Sequence, residues 1–284
     1  MNKKSQLFYR GRFAPSPTGK MHLGSLVTAL ASFIETRQNH GQWIIRIEDI
    51  DTERCHAIFA SHIIDTLNGY GLISDEDILY QSQRLDYYLE SLTELKNKGL
   101  VYPCSCNRAQ RQAFKSQDCP CLKDKNPSNQ RLSWRLHIDT VSSQFRDVNQ
   151  LCSTHLGIEE RIIIYRNDGK VSYDLAVCVD DALQQINHVV RGADLFHHTF
   201  VQRFIQEQLG YPEPIYRHIP VVLDERGQKL SKQNLAKPID CSFACLSAAL
   251  QHLGIADPTI HFTNTLAGSI NNIINHTHLF QLNA

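Results

Sequence analysis

The stretch RFAPSPTGKMHLGS, from Arg12 to Ser25, separates a strand-like segment from a helix-like one and decides the fold. Residues 6–13 before it are predicted to form a strand. Behind it, apolar residues recur at the spacing of one buried helix face: Leu26, Ala29, Leu30, Phe33 and Ile34. In an open parallel sheet, ligands bind beyond the carboxyl ends of the strands, where such strand-to-helix turns lie. We therefore take this stretch as the first candidate site.

The segments that follow indicate an α/β fold with a parallel sheet. The run WIIRI at residues 43–47 is typical of a strand covered on both faces, and a second helix is expected around Phe59, Ile63, Leu67 and Tyr70. Further helices are predicted over 80–99 and 198–209, and strands over 132–138, 161–165, 171–179, 186–190 and 215–223. We expect two halves of one sheet domain at 1–100 and 161–237, an insertion at 101–160 and a C-terminal helical piece at 238–284.

Composition narrows the class of protein. The 284 residues include 29 basic and 29 acidic side chains, and this balance argues against non-specific coating of polyanions. Apolar residues make up 42%, which excludes a disordered chain. No run of 18 apolar residues and no signal-peptide pattern is present, so we expect a cytoplasmic protein without a membrane span.

Two segments are suited to binding phosphate groups, one through backbone amides and one through lysines. The backbone amides at the start of the first helix favour anions, Gly24 allows close approach, and His22 can donate a hydrogen bond. Downstream, Lys229 and Lys232 flank Ser231 in KLSKQ and can clamp a triphosphate. Taken singly, the first segment is more often a helix cap and the second a solvated surface loop.

Four of the nine cysteines form the pattern C-x-C-x12-C-x-C and are candidate metal ligands: Cys104, Cys106, Cys119 and Cys121. Two close pairs of thiolates suit tetrahedral Zn²⁺ in a structural role. A site with three protein ligands and water is an alternative, as are four free thiols.

Together these motifs resemble class I aminoacyl-tRNA synthetases of the glutamyl type. The two signature motifs of that class correspond to HLGS (22–25) and KLSKQ (229–233); RFAPSPTG, RIEDID (46–51), YDLAVCVDD (173–181) and VRGAD (190–194) are typical of the glutamyl and glutaminyl branch. The resemblance spans residues 10–233. It implies a Rossmann-type catalytic core that uses ATP with Mg²⁺ to activate L-glutamate, and a structural zinc.

The resemblance also implies residue roles. Arg12 and Arg191 would bind the carboxylates of glutamate, Glu48 its ammonium, and Ser16 and Tyr173 would hydrogen-bond it. ATP would be bound by His22, Gly24, Ser25, Lys229 and Lys232, with His22 and Lys232 stabilising the phosphates during the reaction. Two departures stand out: Val177 replaces a frequent asparagine, which reduces polar recognition there, and no tyrosine lies between Cys106 and Cys121, where the family often has a zinc ligand. Cys119 is expected to replace that ligand.

Length favours one branch of the family. Only 51 residues follow Gln233, fewer than an anticodon-binding region needs. This resembles the truncated branch, which transfers glutamate to the queuosine base at the wobble position of tRNA(Asp). Residues 104–146 carry eight basic and three acidic side chains and would receive the anticodon stem-loop. We expect a monomer; a ligase acting on another acceptor and a non-catalytic tRNA-binding paralogue are the alternatives.

Overall fold

The computed structural model describes residues 8–107, 109–110, 119–123, 132–137, 141–148, 150–156, 162–224, 227–230 and 237–277. Within them lie seven α-helices: α1 (Leu23–Gln38), α2 (Ala57–Gly69), α3 (Leu85–Asn97), α4 (Tyr173–Leu183), α5 (Phe196–Gln208), α6 (Phe243–His252) and α7 (Leu266–His276). The strands are β1 (Arg10–Phe13), β2 (Gln42–Ile47), β3 (Leu79–Tyr80), β4 (Val101–Cys104), β5 (Ser133–Leu136), β6 (Val141–Asp147), β7 (Gln150–Leu156), β8 (Ile163–Tyr165), β9 (His188–Gly192) and β10 (Ile215–Ile219). The chain divides into two compact units.

The first unit comprises the described residues within 1–81, 186–194 and 216–284 and contains a Rossmann-type sheet. Its strands lie in the order β3-β2-β1-β9-β10, and β1 is parallel to both β2 and β9. Starting from β1, the strands β2 and β3 are therefore added on one side of the sheet, whereas β9 and β10 are added on the other side. The order reverses between β1 and β9, which is where ligands bind in sheets of this kind.

The core of the first unit lies between this sheet and its helices. Trp43 of β2 is fully buried, and its indole stands edge-on to Phe33 of α1, with 5.0 Å between ring centroids. The indole nitrogen donates to the hydroxyl of Ser32 at 3.0 Å, and that hydroxyl donates to the carbonyl of Arg12 at 3.0 Å. This chain of bonds links α1 to β1 and β2 directly beneath the predicted site.

The second unit comprises the described residues within 82–185 and 195–215. It contains an antiparallel sheet in the order β4-β5-β8 and a hairpin of β6 and β7. Helix α3 is joined to α4 by the buried carboxylate of Asp180, which accepts from Arg84 at 2.7 Å and from Tyr88 at 2.8 Å. These bonds satisfy a charge that burial would otherwise make costly.

One predicted strand is wrong. Residues 171–179 were expected to be extended, but residues from Tyr173 onward form α4. Ser172 caps the helix by accepting a hydrogen bond from the amide of Leu175 at 3.3 Å. Because α4 is buried from Asp174 to Asp181, its apolar run lacks the polar face that distinguishes a surface helix from a buried strand.

The other predicted helices and strands that lie in the described residues form with shifted boundaries, whereas β3 and β4 were not predicted. Helix α3 begins at Leu85 rather than at residue 80, after a short 3-10 turn, and Gly99 with φ of 70° follows its end. The hairpin of β6 and β7 was not predicted. Beyond residue 238, α6 and α7 agree with the expected helical piece. In the part of the chain that the structure describes, no helix is long and apolar enough to cross a membrane.

Candidate functional site

Three charged side chains lie near the carboxyl ends of adjacent parallel strands in the first unit. Arg12 is the penultimate residue of β1, Glu48 directly follows β2, and Arg191 is the penultimate residue of β9. Their exposed fractions are 3%, 7% and 3%. Because β2, β1 and β9 are neighbours, these groups share the sheet edge at which the strand order reverses. A buried edge with two guanidinium groups and a carboxylate suits a small zwitterion with excess negative charge.

Backbone hydrogen bonds hold the loop after β1 against the other motifs. The amide of Glu48 donates to the carbonyl of Pro15 at 3.0 Å, and that of His56 donates to Pro17 at 3.0 Å. Between them, Ser16 is exposed. Arg46 places an Nη atom 3.9 Å from the carboxylate of Glu48, within the same buried layer. The RFAPSPTG and RIEDID segments are thus packed together.

His22 is the N-cap of α1, so the predicted phosphate site lies at a helix N-terminus. Its Nδ1 accepts a hydrogen bond from the amide of Ser25 at 3.2 Å, and its Nε2 lies 3.3 Å from the hydroxyl of Ser25. A Cβ on Gly24 would lie 3.2 Å from the imidazole and 3.9 Å from the carbonyl of Leu230. Gly24 therefore keeps a narrow space open between the start of α1 and the KLSKQ segment.

Of the two lysines in the KLSKQ segment, only Lys229 lies among the described residues. Lys229 forms an isolated bridge with Leu223, and its ammonium is ion-paired with Asp194. Asp194 belongs to the VRGAD segment, so its carboxylate links two of the motifs. Lys232, predicted to stabilise phosphate, lies outside the described residues.

An apolar cavity of about 690 Å³ lies beside these segments. Leu23, the first residue of α1, lines it together with Leu230 and, from α6, Ala244 and Ala248. This volume falls in the range of small-molecule pockets.

Tyr173 and Val177 are both in the second unit, on α4. Tyr173 stands edge-on to the imidazole of His198, with ring centroids 5.9 Å apart, and Val177 is buried at 1% exposure. The carboxylate of Asp174 lies 2.9 Å from His198 Nδ1 and accepts from Gln202 at 3.0 Å. Sequence reasoning did not identify this polar cluster, because its members lie on two helices and share no motif.

Arg191 has aromatic neighbours on β10. Its Nε donates to Nε2 of His218 at 3.3 Å, and its guanidinium lies 5.2 Å from the ring centroid of Tyr216. Neither neighbour was selected from the sequence. Alternation along a strand is the one signal that pairs Tyr216 with His218 on a single face.

The four cysteines of the second unit converge on one point. Their sulfur atoms all lie within 4.8 Å of one another, and the Cys104–Cys119, Cys106–Cys119 and Cys106–Cys121 separations are 3.9, 3.9 and 3.6 Å. With Zn–S bonds of about 2.3 Å, two sulfur atoms of a tetrahedral site lie about 3.8 Å apart. The cluster therefore fits a zinc-sized ion bound by four thiolates.

The environment of the cluster is consistent with metal ligation. Burial and the neighbouring thiols raise the pKa of Cys106, so the uncharged form is favoured without a cation. Burial also opposes ionisation of Cys121, but hydrogen bonds from Ser105 and from the thiols of Cys106 and Cys104 outweigh it and lower the pKa of Cys121 to about 7. A bound cation would compensate the charge of four clustered thiolates.

Comparison with known proteins assigns the class. The family described as tRNA synthetases class I (E and Q), catalytic domain, matches residues 9–243. The chain therefore belongs to this family and is a ligase of the class I aminoacyl-tRNA synthetase type.

Individual relatives narrow the comparison. The chain is 41% identical over 249 residues to the glutamyl-Q tRNA(Asp) synthetase of Neisseria gonorrhoeae, covering 82% of this chain and 83% of that protein. It is 42% identical over 262 residues to the glutamyl-Q tRNA(Asp) synthetase of Thiobacillus denitrificans, covering 87% and 86%. Its fold is similar to the crystal structure of a glutamate tRNA ligase from Elizabethkingia meningosepticum, with a TM-score of 0.76 and 22% identity; the match covers 96% of this chain and 65% of that one.

Proposed function

We propose that this ligase activates L-glutamate with ATP to form glutamyl-adenylate, and then transfers glutamate to the queuosine base at the wobble position of tRNA(Asp). The observation that carries the first step is the placement of Arg12, Glu48 and Arg191 on the sheet edge at which the strand order reverses. The acceptor is proposed from the relatives, which share 41% and 42% identity over more than four fifths of both chains.

Each group has a role that its chemistry supports. Arg12 and Arg191 bind the two carboxylates of glutamate, since a guanidinium pairs with a planar carboxylate through two hydrogen bonds. Glu48 receives the ammonium. Ser16 and, by resemblance alone, Tyr173 add hydrogen bonds to the substrate.

The activation step joins the α-carboxylate oxygen of glutamate to the α-phosphorus of ATP and expels pyrophosphate. The amides at the start of α1, together with His22, Gly24 and Ser25, stabilise the negative charge on the phosphates. Lys229 and, by resemblance alone, Lys232 bind the triphosphate, and Lys229 exchanges Asp194 for phosphate when it does so. Bound Mg²⁺ supplies further charge neutralisation at the phosphate oxygens.

In the transfer step, a hydroxyl of the cyclopentenediol ring of queuosine attacks the carbonyl carbon of the adenylate. An ester bond forms as the bond from the carbonyl carbon to the phosphate oxygen breaks; AMP leaves with the electrons of that bond, and the hydroxyl proton passes to the departing phosphate. No nucleophilic side chain is required, because orientation of the two substrates provides most of the rate enhancement. The cysteine cluster holds Zn²⁺ as a structural crosslink within the 101–160 insertion, and the basic residues of that insertion contact the anticodon stem-loop.

The activation step is tested by glutamate-dependent exchange of pyrophosphate into ATP in the absence of tRNA. We expect exchange with L-glutamate and at least tenfold less with L-glutamine or L-aspartate at equal concentration. No exchange with any amino acid, even with tRNA present, would contradict the proposal and favour a non-catalytic tRNA-binding protein.

A further inference from the structure

Arg191 is held in a setting that fixes its orientation. The side chain is 3% exposed, and its Nε hydrogen bonds to Nε2 of His218 at 3.3 Å. A guanidinium that is removed from water requires partners of this kind, because its desolvation is costly. All the groups concerned lie in the first unit.

Two side chains of β10 form the surface against which the guanidinium rests. Tyr216 and His218 are two residues apart and share one face of the strand. Their rings are stacked, with 6.1 Å between centroids and 8° between planes. Tyr216 also places its ring 5.2 Å from the guanidinium carbon, a favourable cation–π separation.

The direction of the hydrogen bond follows from the arginine. Nε of an arginine is always a donor, so Nε2 of His218 is the acceptor in this contact. The donor in this bond is Nε of Arg191. The bond therefore does not use the two terminal Nη atoms, which are the atoms that pair end-on with a carboxylate.

We propose that His218 is a positioning residue for glutamate recognition: its Nε2 holds the Arg191 guanidinium by Nε, and the ring of Tyr216 sets the plane of the fork. This inference rests on the proposed role of Arg191. In this assignment His218 acts on glutamate binding through Arg191.

Two amide substitutions separate this role from a structural one. His218→Gln can place an acceptor oxygen near the position of Nε2, whereas the shorter side chain of His218→Asn cannot reach it. His218→Leu removes the acceptor altogether. His276→Leu, at an exposed histidine on α7, is the matched control.

Pyrophosphate exchange is measured at varied glutamate and varied ATP. Because a hydrogen bond to a charged group is lost, we expect the KM for glutamate to rise about tenfold or more in the Asn and Leu variants. The Gln variant should stay within about threefold of the parent, and the KM for ATP should be unchanged in all of them. The His276→Leu control should match the parent.

Equal effects of Gln and Asn, or an unchanged KM for glutamate in both, would overturn the assignment. If His218→Leu fails to fold, as judged by thermal denaturation, the comparison of Gln with Asn still decides. Absence of exchange in the parent protein would instead overturn the proposed function, so the two failures are distinguishable.

Discussion

At the scale of single residues, His22 is a helix cap with a proposed catalytic role, and two substitutions separate the cap from that role. The imidazole caps α1 through the amide of Ser25 and, in the proposed reaction, faces the phosphates. Asparagine is a good N-cap but does not reproduce the imidazole donor. His22→Ala should therefore lose about 1 kcal/mol of unfolding free energy, whereas His22→Asn should lose little.

Both variants should lower kcat for pyrophosphate exchange by about 100-fold, because a group that stabilises developing charge is lost. Chemical denaturation and exchange kinetics on the same preparations provide the two measurements. If His22→Asn retained full kcat, the imidazole would be only a cap.

His188 makes the stability of the protein depend on pH. Its ring stacks on Tyr9, with 3.9 Å between centroids, and burial, reinforced by the nearby charge of Arg217, lowers the pKa of His188 from 6.5 to about 4. The unfolded chain therefore binds a proton that the folded chain excludes between these two values. The stabilisation is complete above pH 6.5 and is lost as the pH falls towards 4.

We expect the unfolding free energy to fall by up to about 3 kcal/mol over this window on account of His188. His188→Phe keeps the ring stacking but does not titrate, so its curve should be flatter than that of the parent. His276→Phe, at an exposed position, should keep the parental slope. Parallel curves for the parent and His188→Phe would contradict this assignment.

The sequence was informative for residues inside motifs and silent for the contacts between motifs. Arg12, Glu48 and Arg191 could be selected because each lies in a recognisable segment at the end of a predicted strand. The bond of Arg191 to His218 and the ion pair of Lys229 with Asp194 join residues 27 and 35 positions apart. Such contacts depend on strand order and loop path, which no local pattern specifies.

At the scale of elements, one substitution in the cysteine cluster distinguishes a metal site of four thiolates from a site of three protein ligands and water. If all four thiolates bind the ion, Cys119→Ser should reduce the metal content well below one zinc per chain and lower the thermal stability of the protein. Cys152→Ser, at a cysteine on β7 outside the cluster, should retain both. Elemental analysis after removal of loosely bound metal is the measurement.

Full zinc content in Cys119→Ser would instead support three protein ligands and water. Substitution of Cys104 or Cys121 with serine would then still be expected to abolish zinc binding.

Element type was predictable for α1 and not for α4, although both helices are buried on nearly every face. Apolar residues of α1 recur at helical spacing over more than two turns, and the helix forms as predicted. The apolar run of α4, LAVCV at 175–179, is only five residues long, so it resembles a strand until the cap at Ser172 is recognised. The local signal that was missed is a serine followed by an aspartate in the first turn.

At the scale of the whole molecule, the net charge is zero, but one segment has an excess of basic side chains. Residues 104–146 have five more basic than acidic side chains, although most of this segment lies outside the described residues. A localised contact with tRNA phosphates should make binding dependent on salt, with a slope of about −0.7 to −0.9 per phosphate neutralised.

Replacing Arg108, Arg111, Lys115 and Lys125 with glutamine should therefore reduce the slope of log affinity against log salt by about 3. Pyrophosphate exchange without tRNA should be unchanged. An unaltered slope would place the tRNA contact elsewhere on the molecule.

The order of strands was only partly accessible from the sequence. The alternation of strand and helix signals predicts a parallel sheet, and the parallel pairing of β1 with β2 confirms it. The pairing of β1 with β9 brings Gly11 opposite His188, and nothing in the local pattern indicates so distant a partner. That pairing brings the carboxyl ends of β1 and β9, which carry Arg12 and Arg191, to one sheet edge, and the family motifs, not periodicity, selected these two arginines.

The identity of the acceptor is the central claim, and one measurement tests it most directly. The protein is incubated with ATP, labelled glutamate and either tRNA(Asp) containing queuosine, tRNA(Asp) with unmodified guanosine at the wobble position, or tRNA(Glu). We predict labelling of the queuosine-containing tRNA alone. Nuclease digestion should map this label to the anticodon loop and not to the 3′-terminal ribose. Equal labelling of both forms of tRNA(Asp), or preferential labelling of tRNA(Glu), would contradict the account.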